Sequence, residues 1–241
     1  MPFSAQAALA GIPLGLALGW LVQQAILAWP GESRHGRNYS AFSAPRAARS
    51  GRRRRLIFPP WGHLAVIAAG AVLLGWTHPR PDWAGWSQAV LLWAFLYGVA
   101  VIDLRAMVVD LRLVALGIAL RLLSLLWLER GALLEMMAGL LIATGFFHIL
   151  ALFYEVLRGR RGLGEGDPAV AGLAGAFLGW ESLLPLVALA AVGGLLAGLP
   201  WLAWTRRSWG TPIPFAPFLC GAGLIVYLAR LHGWTGPWSM G

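Results

Sequence analysis

Eight apolar runs dominate this chain and limit the folds it can adopt. They are bounded by Arg, Pro and Gly and cover about residues 5–28, 61–77, 86–102, 111–128, 132–156, 168–180, 182–204 and 216–232. Most of them approach the ~20 residues that an α-helix needs to cross a bilayer. Charged residues make up only 12% of the 241 residues, about half the share found in soluble domains. The sequence therefore predicts an all-α polytopic membrane protein with about eight transmembrane helices.

The same runs predict the domain organisation. We expect a single integral membrane domain over 1–241, with a retained first span at 5–28 because no basic segment or small-residue cleavage site marks a signal peptide. An Arg-rich cytoplasmic loop at 29–60 and a helical core at 61–232 follow. The run at 168–180 is short for a membrane span, so it must be tilted or completed by the preceding loop.

The distribution of arginine predicts the orientation in the membrane. All 19 basic residues are Arg, and eight of them lie between Arg34 and Arg55. If that loop is cytoplasmic, fifteen arginines fall on the cytoplasmic side, Arg121 lies inside a span, and three fall outside: Arg80, Arg130 and Arg230. This bias follows the positive-inside rule. The net charge of +9 is thus explained by topology, and without an aromatic–basic module we expect no nucleic-acid partner.

This orientation puts two aspartates at the cytoplasmic ends of spans. Asp103 ends one apolar run, and Asp167 follows Gly164-Glu165-Gly166 at the start of another. A carboxylate at a membrane boundary loses hydration, so it is rarely there without a function. Two carboxyl groups within about 3–6 Å cannot both ionise easily, so one holds a proton while the other acts as a base. The pair therefore predicts aspartic-protease chemistry with neither a metal nor a covalent intermediate.

Structural roles for these carboxylates are open alternatives. Asp167 could cap the helix that Pro168 begins, while Gly164 and Gly166, on either side of Glu165, allow close approach and unusual backbone angles. Asp103 could be an interfacial charge balanced by Arg105. Asp110 could be a helix-start carboxylate near Arg112; on one helix it would instead share a face with Asp103, seven residues earlier.

Three elements in order resemble the prepilin peptidase (type IV leader peptidase) family of GxGD-type membrane aspartic peptidases. They are Ile102-Asp103 with the later Asp110, Gly164-Glu165-Gly166-Asp167, and the segment Ile213-Pro214-Phe215-Ala216-Pro217-Phe218-Leu219. The resemblance implies an endopeptidase of a prokaryotic inner membrane that removes the basic leader of type IV pilin-like precursors on the cytoplasmic side. It implies Asp103 and Asp167 as the catalytic pair, with Gly164, Gly166, Asp110 and Glu165 in supporting positions.

The family also methylates the new N-terminus with S-adenosylmethionine, and here the sequence departs from the family pattern. The proline expected before Asp110 is Val109, the lysine expected two positions after Asp167 is Ala169, and the first-span motif has Gln23 and Ala28. The paired cysteines of the family's first loop are absent, since Cys220 is the one cysteine of the chain. The departures in the first span and the first loop weigh against methyl transfer, while the catalytic aspartates implied by the resemblance are present. Val109, Ala169 and Ala28 also favour the alternative of a non-catalytic relative.

Other interpretations of the chain and of its remaining charged residues are open. The protein could be a GxGD protease with another substrate, a non-catalytic assembly protein derived from the family, or a small transporter. Glu155 and Glu165 are acidic groups on an Arg-rich face and could attract a basic leader. Arg121 is expected to snorkel toward the outer end of its span, or to pair with Glu135.

Overall fold

A computed structural model describes residues 3–28, 60–77, 82–128, 132–159, 162–205 and 213–233. Most of the predicted loop at 29–60 lies outside these residues, as do six of the arginines in other links (Arg80, Arg130, Arg160, Arg161, Arg206 and Arg207). The described part is helical and contains no strand. The all-α prediction is thus confirmed for this part of the chain.

The helices follow the eight apolar runs closely. They are α1 (Phe3–Ala28), α2 (Pro60–Thr77), α3 (Trp83–Ala106), α4 (Leu111–Leu128), α5 (Leu133–Arg158), α6 (Asp167–Leu178), α7 (Leu183–Thr205) and α8 (Ala216–Leu231), with a 3₁₀ turn at Trp180–Ser182 before α7. Four segments are long and apolar enough to cross a membrane: Ala5–Ala25, Trp83–Ala106, Leu133–Arg158 and Trp180–Pro200. The number of helices that do span the bilayer remains a prediction.

Local sequence signals explain where several of these helices begin and end. The carboxylate of Asp82 caps α3 by accepting from the backbone N–H groups of Ala84 and Gly85, at 3.0 and 2.9 Å. Helices α5 and α6 end at Gly159 and Gly179, whose positive φ angles of 62° and 75° carry no penalty for glycine. Turn chemistry that is readable from the sequence thus sets these boundaries.

Helix α3 is central, because it contacts α1, α2, α4, α6 and α8. The short helix α6 is also enclosed: every residue from Val170 to Leu178 is buried, and it packs tightly along α5. Gly175 and Gly172 allow this approach, because added Cβ atoms would lie 2.3 Å from the Gly139 carbonyl oxygen and 2.2 Å from Thr144 Oγ1. The two helices that carry Asp103 and Asp167 thus form the interior of the bundle.

Arg121, the arginine that the sequence analysis placed inside a span, contacts the last turn of α6. Arg121 is 6% exposed, and its Nε donates to the Ala176 carbonyl at 3.4 Å, with the guanidinium 5.4 Å from the centre of the Phe177 ring. Arg230 donates to the Leu178 carbonyl and to Ser182 Oγ. Arg121 thus binds a carbonyl that the end of α6 leaves without a helical partner, and whether it also reaches the outer membrane boundary stays a prediction.

Candidate active site

Asp103 lies in the last turn of α3 and is 6% exposed. The helix ends one turn later at Met107, which has a left-handed conformation (φ 52°, ψ 39°) and donates its N–H to the Asp103 carbonyl at 2.8 Å. Met107 is the one non-glycine residue with positive φ among the described residues. A new helix then starts at Leu111. Asp103 and Asp110 therefore do not share a helical face, and that sequence-based expectation is wrong.

Asp167 is the first residue of α6 and is 4% exposed. Its carboxylate accepts the backbone N–H of Gly164 at 2.9 Å, and its own N–H donates to the Gly164 carbonyl at 3.2 Å. The helix cap is Gly166, and no side chain caps α6. The alternative in which Asp167 serves as the cap is therefore wrong: its carboxylate closes a tight turn instead.

The two glycines of this turn act through close packing. A Cβ on Gly164 would lie 3.1 Å from Oδ2 of Asp167, and one on Gly166 would lie 2.3 Å from Cβ of Val109. Gly166 has ordinary helical angles (φ −88°, ψ −18°), and neither glycine has a positive φ. The unusual backbone angles expected for them are therefore not present. Gly166 brings the turn against the link between α3 and α4, next to Asp103.

The two aspartates come together at one end of the bundle, where α3 ends and α6 begins. They are close enough for the charge of Asp103 to act on Asp167, and both carboxylates act electrostatically on the thiol of Cys220. Oδ2 of Asp103 is buried without a hydrogen-bond partner. A buried carboxyl oxygen in that state favours either a proton or a polar ligand such as water. The sequence thus correctly paired two residues that are separated by sixty-four positions.

The start of α8 contributes a group that the sequence did not identify. The backbone N–H of Ala216, the first residue of α8, lies beside the Asp103 carboxyl. It is one of the N–H groups that a helix start leaves unpaired, and such groups favour a negative charge. One turn later lies the buried, reduced Cys220. The signal was present in the sequence, since Ile213-Pro214-Phe215 directly precedes an apolar run, but the segment suggested family membership rather than a contact.

Asp110 and Glu165 have different surroundings. Asp110 is buried at the start of α4, where its Oδ1 accepts the Arg112 N–H at 2.9 Å. This is the helix-start role that the sequence left open for it. Glu165 is exposed in the turn before Asp167, and Glu155 is exposed near the end of α5. Neither glutamate is buried with the two aspartates.

Arg105 bonds to a histidine on α2 instead of balancing Asp103. Its Nη2 lies 2.6 Å from Nε2 of His63, and Nδ1 of His63 lies 2.8 Å from the Tyr97 hydroxyl. A guanidinium can only donate, so Nε2 of His63 accepts and the ring proton must lie on Nδ1, facing Tyr97. His63 is 1% exposed. This network ties the start of α2 to the last turns of α3, which carry Asp103.

Replacing His63 with Ala is expected to loosen this connection and lower Tm by roughly 5 °C. The reason is that a hydrogen bond to a charged group contributes about 1.5–3 kcal/mol. Thermal unfolding of the purified protein in detergent measures the change. Tyr97→Phe is the matched control, because it removes only the outer bond and should lower Tm by less. Equal shifts for the two variants would contradict the central role of the His63–Arg105 bond.

Comparison with known proteins identifies similar sequences over much of this chain. Residues 89–199 match the model of the type IV leader peptidase family. Similar proteins include a prepilin leader peptidase/N-methyltransferase of Pectobacterium carotovorum subsp. carotovorum, 30% identical over 67% of this chain and 55% of the relative. This chain belongs to the type IV leader peptidase family. The matched region contains α4, α5 and α6 in full and most of α3 and α7, and thus both aspartates of the buried pair.

Other family members match over shorter stretches. A prepilin leader peptidase/N-methyltransferase of Xanthomonas campestris pv. campestris is 32% identical over 60% of this chain and 50% of its own length. One of Dickeya chrysanthemi is 39% identical over 34% of this chain and 29% of its own length. The chain therefore spans about half the length of the longer-matching curated relatives. No solved structure matches the chain.

Proposed function

We propose that this protein is a membrane-embedded aspartic endopeptidase that removes the leader peptide of type IV pilin-like precursors. The observation that carries the proposal is the pair of buried carboxyl groups, Asp103 and Asp167, held together where α3 ends and α6 begins. Family membership supports the substrate class, because relatives carry the name prepilin leader peptidase. The arginine distribution supports a site at the cytoplasmic face of a prokaryotic inner membrane.

The proposed reaction uses the two aspartates in different protonation states. The ionised carboxylate takes a proton from a water molecule, whose oxygen attacks the scissile carbonyl carbon. The protonated carboxyl donates a hydrogen bond to the carbonyl oxygen. The C–N bond then breaks as the new N-terminus receives a proton. The N–H group of Gly164 binds the Asp167 carboxylate, and the N–H group of Ala216 lies beside the Asp103 carboxyl.

Methyl transfer is not part of this proposal. The names of the relatives include N-methyltransferase, an activity that uses S-adenosylmethionine in the family. The family resemblance associates methylation with the first span and the following loop, and residues 29–59 of that loop lie outside the described residues. The groups assigned here to leader cleavage act without that cofactor.

Leader removal from a co-expressed precursor tests the proposal. Wild type is expected to release the leader, and neutralising the basic residues of the leader should slow the release.

We propose that the exposed Glu165 attracts those basic residues, so Glu165→Gln should reduce this charge dependence while leaving cleavage itself in place. Mass spectrometry of the precursor and its products measures both effects.

Two outcomes would contradict these assignments. Failure of wild type to cleave any of several pilin-like precursors would favour the alternative of a non-catalytic assembly protein. Cleavage with a charge dependence that Glu165→Gln leaves unchanged would remove the role of Glu165 and leave the peptidase assignment intact. Glu181→Gln is the matched control and should leave the charge dependence unchanged, because Glu181 is also an exposed carboxylate but lies beyond the other end of α6.

A further inference from the structure

A charged cavity lies at the end of the bundle opposite the two aspartates. Its volume is about 240 Å³, and it is bordered by the last residues of α6 and by polar side chains of four other helices: Asp82, Gln88, Arg121, Glu135, Tyr227 and Arg230. Ala176, the first residue of α6 that borders the cavity, is nine residues from Asp167, which is about 14 Å along the helix at 1.5 Å per residue. It is therefore separate from the candidate active site.

Two guanidinium groups give the cavity its positive charge. Arg121 and Arg230 both reach the last turn of α6, where they bind the carbonyl oxygens of Ala176 and Leu178. Both contacts of Arg230 use the same nitrogen, Nη1. Its Nε and Nη2 groups are therefore donors for a ligand. Arginine presents such donors in the planar arrangement that suits phosphate.

Two carboxylates balance the arginines. The carboxylate of Asp82 caps α3. Glu135 lies in the first turn of α5, where it is exposed, and it borders the same cavity as Arg121. Two positive and two negative side chains suit a ligand that itself carries both signs. An anionic group would bind near Arg230, and a hydrogen-bonding cation would bind near Glu135.

Exposed tryptophans indicate the depth of this end of the bundle in a membrane. Exposed indoles lie at the corresponding ends of four segments: Trp76 in α2, Trp83 in α3, Trp127 in α4 and Trp180 after α6. Tryptophan is enriched where lipid headgroups meet the hydrocarbon core. This belt therefore places the opening of the cavity at headgroup level.

We propose that the cavity binds the headgroup of an aminophospholipid of the phosphatidylethanolamine class. The phosphate would accept hydrogen bonds from Arg230 beside the positive charge of Arg121, and the primary ammonium would donate to Glu135. A choline headgroup cannot make the second contact, because its methylated nitrogen has no N–H. A glycerol headgroup has no cation to place there.

Lipid binding to the delipidated full-length protein in detergent tests this proposal. Native mass spectrometry with short-chain phosphatidylethanolamine, phosphatidylglycerol and phosphatidylcholine is expected to show binding about tenfold tighter for the first, the difference that one charge-assisted hydrogen bond supplies. Inorganic phosphate and free phosphoethanolamine should displace the lipid poorly, since neither has acyl chains. Equal binding of the three lipids would overturn the proposal, and efficient displacement by inorganic phosphate would identify a site for a free anion instead.

Glu135→Gln gives the sharpest variant, because Glu135 is exposed and its replacement should leave the fold intact. It is expected to abolish the preference for phosphatidylethanolamine over phosphatidylglycerol. Arg230→Gln should weaken binding of both lipids. Arg112→Gln, an exposed arginine at the other end of the bundle, is the control and should leave the preference unchanged. Retention of the preference in Glu135→Gln would contradict the assignment.

Discussion

Asp103→Asn and Asp167→Asn are each expected to reduce leader cleavage by about 10³-fold, within the range that general acid–base groups contribute. Asparagine keeps the shape of each side chain, and at position 167 its oxygen can still accept the hydrogen bond from Gly164, so the fold should be retained. What is lost is the ability to exchange a proton with water or with the leaving amine. Initial rates with purified protein and a purified precursor measure the effect.

The double variant of Asp103 and Asp167 is expected to be no slower than either single variant. Groups that act as one unit give strongly non-additive losses, because removal of either disables the shared step. Thermal unfolding of all three variants provides the control for folding. Losses that multiply in the double variant would show that the two carboxyls act independently, which would contradict the proposed mechanism.

Gly175→Ala is expected to destabilise the bundle by about 1–3 kcal/mol, the usual effect of added volume in a packed interior. The new Cβ would lie 2.3 Å from the Gly139 carbonyl oxygen and 2.8 Å from Cβ of Ala143. A backbone oxygen cannot rotate away as a side chain can, so α5 and α6 must separate. Cleavage should fall as well, because α6 begins with Asp167. Thermal unfolding in detergent and the initial cleavage rate measure the two effects.

Gly145→Ala is the matched control for this prediction. Gly145 lies on α5, and a Cβ added there would have nothing within 4 Å. Alanine also favours a helix more than glycine does, so stability should stay the same or rise slightly. Similar losses for Gly145→Ala and Gly175→Ala would show that the close approach of α5 and α6 is not the cause.

The helices and the pairing of the aspartates could be predicted from the sequence for simple physical reasons. Long apolar runs and the positions of the arginines determine where helices form and which ends share a side of the bundle. Asp103 follows the end of one run and Asp167 precedes the start of another. Both helix ends lie on the same predicted side of the membrane, so the two side chains can meet there. The order of the three family elements then indicated the chemistry.

What could not be predicted depends on three-dimensional contacts. The helix break at Met107 occurs without glycine or proline in Ala106-Met107-Val108, so the sequence left open the alternative that Asp103 and Asp110 share one helical face. The sequence gives the distance from Arg121 to the end of its predicted span. It does not give the hydrogen-bond acceptor, the Ala176 carbonyl, because that contact depends on where α6 ends in the folded bundle. The role of Gly166 similarly depends on Val109, which is distant in sequence.

The central claim is that Asp103 and Asp167 form the catalytic pair, and cleavage by three variants beside wild type in one reconstituted assay tests it most directly. Asp103→Asn should be inactive. Asp110→Asn should remain active, because asparagine caps a helix as well as aspartate does, and Cys220→Ala should remain active because the thiol has no role in the proposed reaction. Cleavage by Asp103→Asn, together with loss of activity in Asp110→Asn or Cys220→Ala, would contradict the pair and assign the reaction to a different group.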